Sequence, residues 1–88
     1  MQNLEKILSE INDEKQMTAF LKDLLTPYEM KEFQNRWGIA QSLYEKDLSY
    51  REIAERFGTS VTTVTRVARF LKDEPYQGYH SVLDKTHA

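Results

Sequence analysis

The fold is decided by the stretch Ser49–Lys72, which reads SYREIAERFGTSVTTVTRVARFLK. Ser49 followed three residues later by Glu52 is a capping box, so a helix should begin at Tyr50. The apolar residues of this first half recur at helical spacing, at Ile53, Ala54 and Phe57. This spacing predicts a short helix with one buried side.

A glycine divides the stretch in two. Gly58 stands where the first helix must end and turn, and Thr59 or Ser60 can cap a second helix. The apolar residues of the second helix again recur by three and four, at Val61, Val64, Ala68 and Leu71. Two short helices joined by a glycine turn, each with one buried side, predict a helix-turn-helix.

The other side of the second helix is polar. Its outward positions are Thr62, Thr63, Thr65, Arg66 and Arg69. Hydroxyl and guanidinium groups suit phosphate oxygens and the acceptor-rich edge of guanine, so this side predicts a surface that contacts DNA. The less specific interpretation is surface polarity, with Arg51 paired to Glu55 one turn away. Because threonine is a poor helix former, three of them favour a use outside the helix.

The charge distribution supports DNA contact although the chain is acidic overall. The 88 residues carry a formal net charge of −2 and no cysteine. Residues 49–72 carry five basic and two acidic side chains, whereas residues 1–48 carry six basic and nine acidic ones. Positive charge is therefore concentrated in the stretch expected to contact DNA. Without cysteine, neither a disulfide nor a thiolate metal site is available.

The N-terminal half has the pattern of three helices. Apolar stripes at helical spacing run through residues 1–11 and 14–25. Thr26 before Pro27, with Glu29 three positions after the threonine, forms a second capping box and starts a third helix. That helix should run almost to the helix-turn-helix.

No stretch alternates with period two, and glycine and proline are scarce. We therefore expect an all-α fold of about five to six helices, in one domain over residues 1–88. Residues 1–47 are its dimerisation helices, residues 49–72 the helix-turn-helix, and residues 73–88 a C-terminal tail or short helix. The polar start and the lack of a membrane-spanning apolar run predict a cytoplasmic protein, associated with the bacterial nucleoid when bound to DNA.

The third helix carries a stripe expected in the core or at a subunit seam, formed by Met30, Phe33, Trp37, Ala40 and Tyr44. Gly38 in this helix costs about 1 kcal/mol against alanine, which close packing of another element explains. So much apolar surface ahead of a small helix-turn-helix predicts an intertwined homodimer. Its recognition helices would lie about 34 Å apart, in successive major grooves.

Residues 24–72 resemble the trp repressor family, and more narrowly its YerC/YecD-type members. The shared landmarks follow in order and without gaps: Leu25-Thr26-Pro27 with Glu29, Arg36, Ser49 with Arg51-Glu52, Gly58, Thr63, Thr65-Arg66 and Leu71-Lys72. The resemblance implies an all-helical intertwined homodimer. Its implied partner is double-stranded operator DNA, and its implied function is transcriptional repression.

The resemblance also implies roles for individual residues. The pocket for the family's corepressor, L-tryptophan, here matches Thr26, Arg36, Thr63 and Arg66. The family's DNA contacts match Arg51 as a reader of guanine, and Thr65, Arg66 and Lys72 near the DNA backbone. Position on the helix adds the other threonines and Arg69. The full DNA-binding set is therefore Arg51, Thr62, Thr63, Thr65, Arg66, Arg69 and Lys72.

Three departures from the family pattern affect specificity. Val67 replaces a glycine that leaves room for the indole, and Phe70 replaces a serine that binds the amino group of the ligand. Because both changes fill space and remove polarity, we expect Val67 or Phe70 to occupy the place of the indole. The sequence thus predicts no use of L-tryptophan; the recognition helices are held ready without it or respond to another, unidentified effector. Tyr50 replaces a glutamine, so the operator sequence need not be shared.

A second class of function fits the same sequence, namely a helical protein–protein interaction module that has kept a helix-turn-helix shape. The acidic total charge and the aromatic third helix favour it. An enzyme is not expected, because the chain lacks a cysteine nucleophile and a glycine-rich phosphate loop, and we expect no histidine in the folded region. His80 and His87 have no third ligand nearby in the sequence, so no metal site is expected.

Overall fold

The computed structural model describes residues 2–87, and this range contains six α-helices and no strand. The helices are α1 (Leu4–Glu10), α2 (Glu14–Leu24), α3 (Pro27–Glu45), α4 (Tyr50–Arg56), α5 (Val61–Lys72) and α6 (Gly78–Thr86). The predicted all-α fold is confirmed. The chain divides into two compact units, Met1–Glu32 and Phe33–Ala88.

The first unit contains short helices that are capped locally. Asn3 caps α1 by accepting a hydrogen bond from the backbone N–H of Lys6 at 2.9 Å. Asp13 caps α2 in the same way, with the backbone N–H of Gln16 as donor at 2.9 Å. Neither α1 nor α2 contains a buried residue. Hydrogen bonds at their ends fix where these helices begin, while their apolar stripes stay partly exposed.

The helix α3 begins at the predicted capping box. The backbone N–H of Thr26 donates to Oε1 of Glu29 at 2.9 Å, and the backbone N–H of Glu29 donates to the hydroxyl oxygen of Thr26 at 3.2 Å. The backbone N–H of Thr26, followed by its hydroxyl, lowers the pKa of Glu29. At the other end, Lys46 leaves the helix in the left-handed conformation, with φ of 58°.

The second unit contains the hydrophobic core. Its buried members come from α3, α4, α5 and α6: Ile39, Ala40, Leu43, Ile53, Ala54, Val64, Val67, Ala68, Leu71 and Leu83. At the edge of this core, a Cβ atom built on Gly38 would lie only 2.7 Å from Cζ of Phe57. The close approach of another element, expected from the glycine inside α3, is therefore present.

The buried side of α3 differs in part from the predicted stripe. Ala40 is buried, and Trp37 and Tyr44 pack against the core while partly exposed. The centre of this side is formed instead by Ile39 and Leu43. These two residues lie one position before Ala40 and Tyr44, about 100° around the helix, so counting along the aromatic stripe passed over them.

The C-terminal segment forms a helix that joins the core. Leu83 of α6 is fully buried. The hydroxyl of Tyr44 donates to Oδ1 of Asp84 at 2.6 Å, which raises the pKa of Tyr44 and lowers the pKa of Asp84. Nδ1 of His80 lies 3.0 Å from the other carboxylate oxygen of Asp84, and the His87 ring lies 5.0 Å from that of Tyr44. The expectation that the folded region holds no histidine was therefore wrong.

Candidate nucleic-acid interface

The first turn of α4 is fixed by a complete capping box. The backbone N–H of Ser49 donates to Oε1 of Glu52 at 2.9 Å, and the backbone N–H of Glu52 donates to the hydroxyl oxygen of Ser49 at 3.1 Å. The backbone N–H of Ser49, followed by its hydroxyl, lowers the pKa of Glu52. The box places Arg51 in the first turn of the helix, where its side chain is exposed.

The turn between α4 and α5 depends on the conformation of one glycine. Gly58 has φ of 62°, and a Cβ atom built there would meet nothing within 4 Å, so conformation rather than space favours glycine. The backbone N–H of Thr59 donates to the carbonyl oxygen of Ala54 at 2.9 Å. Of the two predicted caps for α5, Ser60 is the one used, since its hydroxyl accepts from the backbone N–H of Thr63 at 3.2 Å.

One side of α5 is buried. Its buried residues are Val64, Val67, Ala68 and Leu71, which join Ile53 and Ala54 of α4 in the core. The prediction that Val61 shares this side was wrong, because Val61 is the first residue of the helix and is 45% exposed. Val67 takes its place on the buried side, and it is only 2% exposed.

The opposite side of α5 is accessible. Its exposed members from the predicted DNA-binding set are Thr62, Thr65, Arg66, Arg69 and Lys72, while Thr63 is partly buried. A shallow depression on this side is lined by Val61, Thr62, Thr65, Arg66 and Arg69. The structure thus brings four of the predicted residues together on one surface, with Arg51 on the neighbouring helix.

Two of the three threonine hydroxyls also have partners within the helix. The hydroxyl of Thr65 donates to the carbonyl oxygen of Val61 at 3.0 Å. The hydroxyl oxygen of Thr63 lies 3.2 Å from that of Ser60, so Thr63 takes part in the cap of α5. Thr63 therefore serves the cap of α5, whereas Thr62 and Thr65 line the depression.

The guanidinium groups of the two arginines that line the depression both lie near one aromatic ring, that of Phe70. Cζ of Arg66 lies 5.1 Å from the ring centroid of Phe70, and Cζ of Arg69 lies 5.7 Å from the same centroid. Both distances are in the range of cation–π attraction. Arg69 has a second partner, because its Nε lies 2.8 Å from Oε1 of Glu74.

The remaining two cations of the predicted set differ in their surroundings. Nζ of Lys72 lies 3.4 Å from the hydroxyl oxygen of Tyr50 and 5.9 Å from the centroid of its ring. Tyr50 is thus a neighbour of the predicted interface. The alternative ion pair between Arg51 and Glu55 is not formed in the described range, residues 2–87.

The four residues of the family's ligand pocket fall in both units. Thr26 belongs to the first unit, where it caps α3. Arg36, Thr63 and Arg66 belong to the second unit. Cζ of Arg36 lies 5.9 Å from the ring centroid of Phe33, and Thr63 and Arg66 lie one turn apart on α5.

Sequence reasoning missed two partners of the predicted cations. Glu74 lies beyond the helix-turn-helix stretch, so only its spacing of five from Arg69, across the end of α5, could have indicated a contact. Phe70 was considered as a filler of the ligand pocket and not as a ring beneath Arg66 and Arg69. An aromatic residue four positions after an arginine on one helix, as Phe70 is after Arg66, is the signal for such stacking.

These elements define a helix-turn-helix protein with a cationic, hydroxyl-rich recognition helix. The chain belongs to the Trp repressor protein family, whose family model matches residues 1–87. The resemblance to the trp repressor family is therefore confirmed. The family consists of DNA-binding regulators and not of enzymes.

Relatives with the name Trp operon repressor homolog are similar to this chain. One from Chlamydia trachomatis serovar L2 is 38% identical over 61 residues, which are 65% of this chain and 65% of the relative. One from Xylella fastidiosa strain Temecula1 is 36% identical over 70 residues, or 80% of this chain and 76% of the relative. The chain thus spans just under two thirds of the length of the Chlamydia relatives that it matches. No solved structure matches the chain.

Residues 2–87 contain neither a membrane-spanning helix nor a metal-binding cluster. None of the helices there is both long and apolar enough to cross a membrane. The same residues hold no group of three or more histidine, cysteine, aspartate or glutamate side chains that could bind a metal ion.

Proposed function

We propose that this chain is a sequence-specific regulator of transcription that binds double-stranded operator DNA as a homodimer and represses the genes it controls. The observation that carries the proposal is the exposed side of α5, where threonine hydroxyls and two arginines line one depression. The opposite side of α5 is buried in the core, so the polar side must face a partner or solvent. Phosphate oxygens and the major-groove edge of guanine are acceptors for these donors.

The position of α4 supports the same function. Its capping box fixes the first turn, in which the exposed Arg51 follows Tyr50, and the hydroxyl oxygen of Tyr50 lies 3.4 Å from Nζ of Lys72 at the end of α5. Two helices that present cations together can bind one backbone while the recognition helix enters the groove. The names of the relatives favour repression over activation. A regulator acts where the chromosome lies, so we place this one in the cytoplasm.

Dimerisation is supported by apolar surface that one chain leaves uncovered. The helices α1 and α2 bury no residue, and Leu24 is 47% exposed. On α3, Phe33 is 50% exposed and Met30 only partly buried. Contiguous exposed apolar surface marks sites of protein–protein contact, and a second copy is the partner that we propose for these side chains. A two-fold copy of this chain would cover them, make residues 1–88 one domain, and place the recognition helices about 34 Å apart.

We further propose that operator binding does not require L-tryptophan. Val67, which replaces the family's glycine, is already packed in the core of its own chain. Phe70 already places an aromatic ring 5.1 Å from the guanidinium carbon of Arg66. A cation that stacks on a ring of its own chain gains less from a bound indole. The recognition helix would thus be ordered by its own side chains, and any effector would be a different molecule.

The test replaces two arginines of the proposed surface together. The double variant Arg51→Ala with Arg66→Ala should lose retention of duplex DNA and show a shallower dependence of affinity on salt, because fewer phosphates are neutralised. The matched control is Arg56→Ala, which removes an equally charged, exposed side chain outside the predicted set. Sedimentation should show that all variants keep the oligomeric state of the wild type.

The same experiment distinguishes DNA binding from the second class of function, a protein–protein interaction module. A protein–protein interaction module would bind no duplex DNA, with or without added L-tryptophan, and the double variant would then have nothing to lose. DNA retention that depends on added L-tryptophan would contradict the proposed independence but not the proposed DNA binding. If Arg56→Ala costs as much affinity for each charge removed as the double variant does, the contact is driven by charge and has no defined surface.

A further inference from the structure

A carboxylate is bound to one of the cations of the proposed DNA surface. Nε of Arg69 lies 2.8 Å from Oε1 of Glu74. The side chain of Arg69 is 64% exposed, whereas that of Glu74 is only 26% exposed. Solvent and salt screen a partly sheltered pair less than a fully exposed one. The charge of Arg69 is therefore partly neutralised before any DNA arrives.

The backbone holds Glu74 at the end of the recognition helix. The backbone N–H of Glu74 donates to the carbonyl oxygen of Arg69 at 3.1 Å, in the turn that ends α5. The carbonyl oxygen of Glu74 accepts a hydrogen bond from Nε2 of Gln77 at 2.7 Å. Pro75 follows directly and restricts the backbone further. The carboxylate thus belongs to the C-terminal turn of α5 and is not a chance contact of a free segment.

The second arginine of the depression has no such partner. Arg66 stacks on the same Phe70 ring as Arg69, but in the described residues 2–87 no carboxylate pairs with it. The two arginines therefore share one ring and one surface, and only Arg69 carries a counter-charge. This difference gives a comparison within a single helix.

We propose that Glu74 competes with DNA phosphate for Arg69 and thereby weakens the binding of DNA of any sequence. This inference rests on the proposed function. Guanidinium donors bind carboxylate and phosphate oxygens in the same way. Because Glu74 occupies the Nε donor of Arg69, a phosphate must displace the carboxylate to bind that edge, and a phosphate bound to the Nη donors lies beside its negative charge. The displaced carboxylate then repels the DNA backbone. Because phosphate contacts carry no sequence information, this cost lowers non-specific affinity and leaves discrimination to the base contacts.

The test is the variant Glu74→Gln, which keeps the size of the side chain and removes its charge. Affinity is measured by fluorescence anisotropy with a random-sequence duplex of about three helical turns over a salt series. Glu74→Gln should bind several-fold more tightly at low salt. Since one further phosphate contact adds about 0.9 to the salt slope, the gain should shrink about 3.5-fold between about 50 and 200 mM salt.

Two variants separate competition for Arg69 from a general charge effect. Asp73→Asn removes the same charge from the neighbouring residue, which forms no ion pair in residues 2–87, and it should give a clearly smaller gain. In the background Arg69→Gln, the change Glu74→Gln should give no gain beyond that of Asp73→Asn. Circular dichroism of each variant should match the wild type.

The possible outcomes distinguish a failure of this inference from a failure of the proposed function. If the wild type binds the duplex and Glu74→Gln binds no more tightly, the inference is wrong while the proposed function stands. A gain that persists without Arg69, or that Asp73→Asn equals, would also overturn the inference. Weaker binding by Glu74→Gln would assign Glu74 the opposite role of positioning Arg69. If no variant binds duplex at low salt, the proposed function is wrong and the inference fails with it.

Discussion

The two units of this chain are stabilised in different ways. In the first unit, α1 and α2 are capped by Asn3 and Asp13 but contain no buried residue. In the second unit, four helices share a core that includes fully buried Ile39, Ile53, Val64 and Leu83. Local hydrogen bonds alone do not stabilise helices this short in water. Burial within one chain therefore supports the recognition helix of the second unit, whereas the proposed dimer would supply further packing for α1 and α2.

The largest effect should come from the core of the second unit. Ile53→Ala leaves a cavity where α4 packs on α5, and it should lower the free energy of unfolding by about 2–5 kcal/mol. Chemical denaturation followed by circular dichroism measures the loss. The conservative control Ile53→Val should cost only about 0.5–1.5 kcal/mol. A cost for Ile53→Ala below that of the control would mean that this core does not hold the helix-turn-helix together.

A second variant tests close packing at the edge of the same core. An alanine at an exposed helical glycine usually adds about 1 kcal/mol of stability. Gly38→Ala should instead destabilise by about 1–3 kcal/mol, because the new methyl group meets the Phe57 ring. Phe57→Leu in the same chain should recover part of the loss, and thermal unfolding compares the three variants. A stabilised Gly38→Ala would show that the ring moves aside freely.

A third variant tests the first unit, whose helices α1 and α2 bury no residue within a single chain. Leu24 is half exposed in a single chain, so Leu24→Ala should change little within that chain. In the proposed dimer it should cost about 1 kcal/mol for each copy, as buried apolar area is lost. Sedimentation equilibrium should then show weaker association, and the unfolding midpoint should depend more strongly on protein concentration. An unchanged association constant would exclude Leu24 from the subunit interface.

The smallest expected effect is a loss of folding stability at acidic pH. Each unit contributes one carboxylate to this effect. Backbone N–H groups of Thr26 and Ser49 lower the pKa of Glu29 and of Glu52, respectively. A carboxyl group whose pKa is lower in the folded than in the unfolded chain stabilises the fold above its ordinary pKa of about 4.3. That contribution is lost as the pH falls through the lowered value.

Replacement of each carboxylate separates the two units in an acid titration. Glu52→Gln should remove part of the acid sensitivity of helix-turn-helix unfolding, and Glu29→Gln should remove part of that of α3. Circular dichroism during the titration follows the total helix content, and amide hydrogen exchange assigns the loss to each helix. Acid profiles identical to the wild type in both variants would contradict a role of the capping boxes.

Local features of the sequence were sufficient to predict the starts of α3 and α4 and the turn between α4 and α5. Both capping boxes and the turn at Gly58 depend on residues within a few positions of each other. The place of Gly38 against another element was also predictable, because a glycine inside a helix is costly. The polar side of α5 followed from its spacing, since the opposite side must be buried.

Features that depend on tertiary contacts were not predictable in the same way. Ile39 and Leu43 form the buried side of α3 because of where α4 to α6 pack, and a stripe counted along one helix does not contain that information. Val67 lies in the core for the same reason. The contact of Glu74 with Arg69 depends on how the chain turns after α5, which no periodic pattern specifies. The exposed side of α5 was thus predictable from the sequence, whereas the contacts of its arginines with Phe70 and Glu74 were not.

The most direct test of DNA reading by α5 is the sequencing of genomic fragments that the purified protein retains at near-physiological salt without added L-tryptophan. The proposed function predicts enrichment of one palindrome, with half-sites about one duplex turn apart, as two-fold recognition helices require. Arg51→Ala with Arg66→Ala should abolish that enrichment. Diffuse retention that disappears with a modest rise in salt, or no retention with or without L-tryptophan, would contradict sequence-specific reading by this surface.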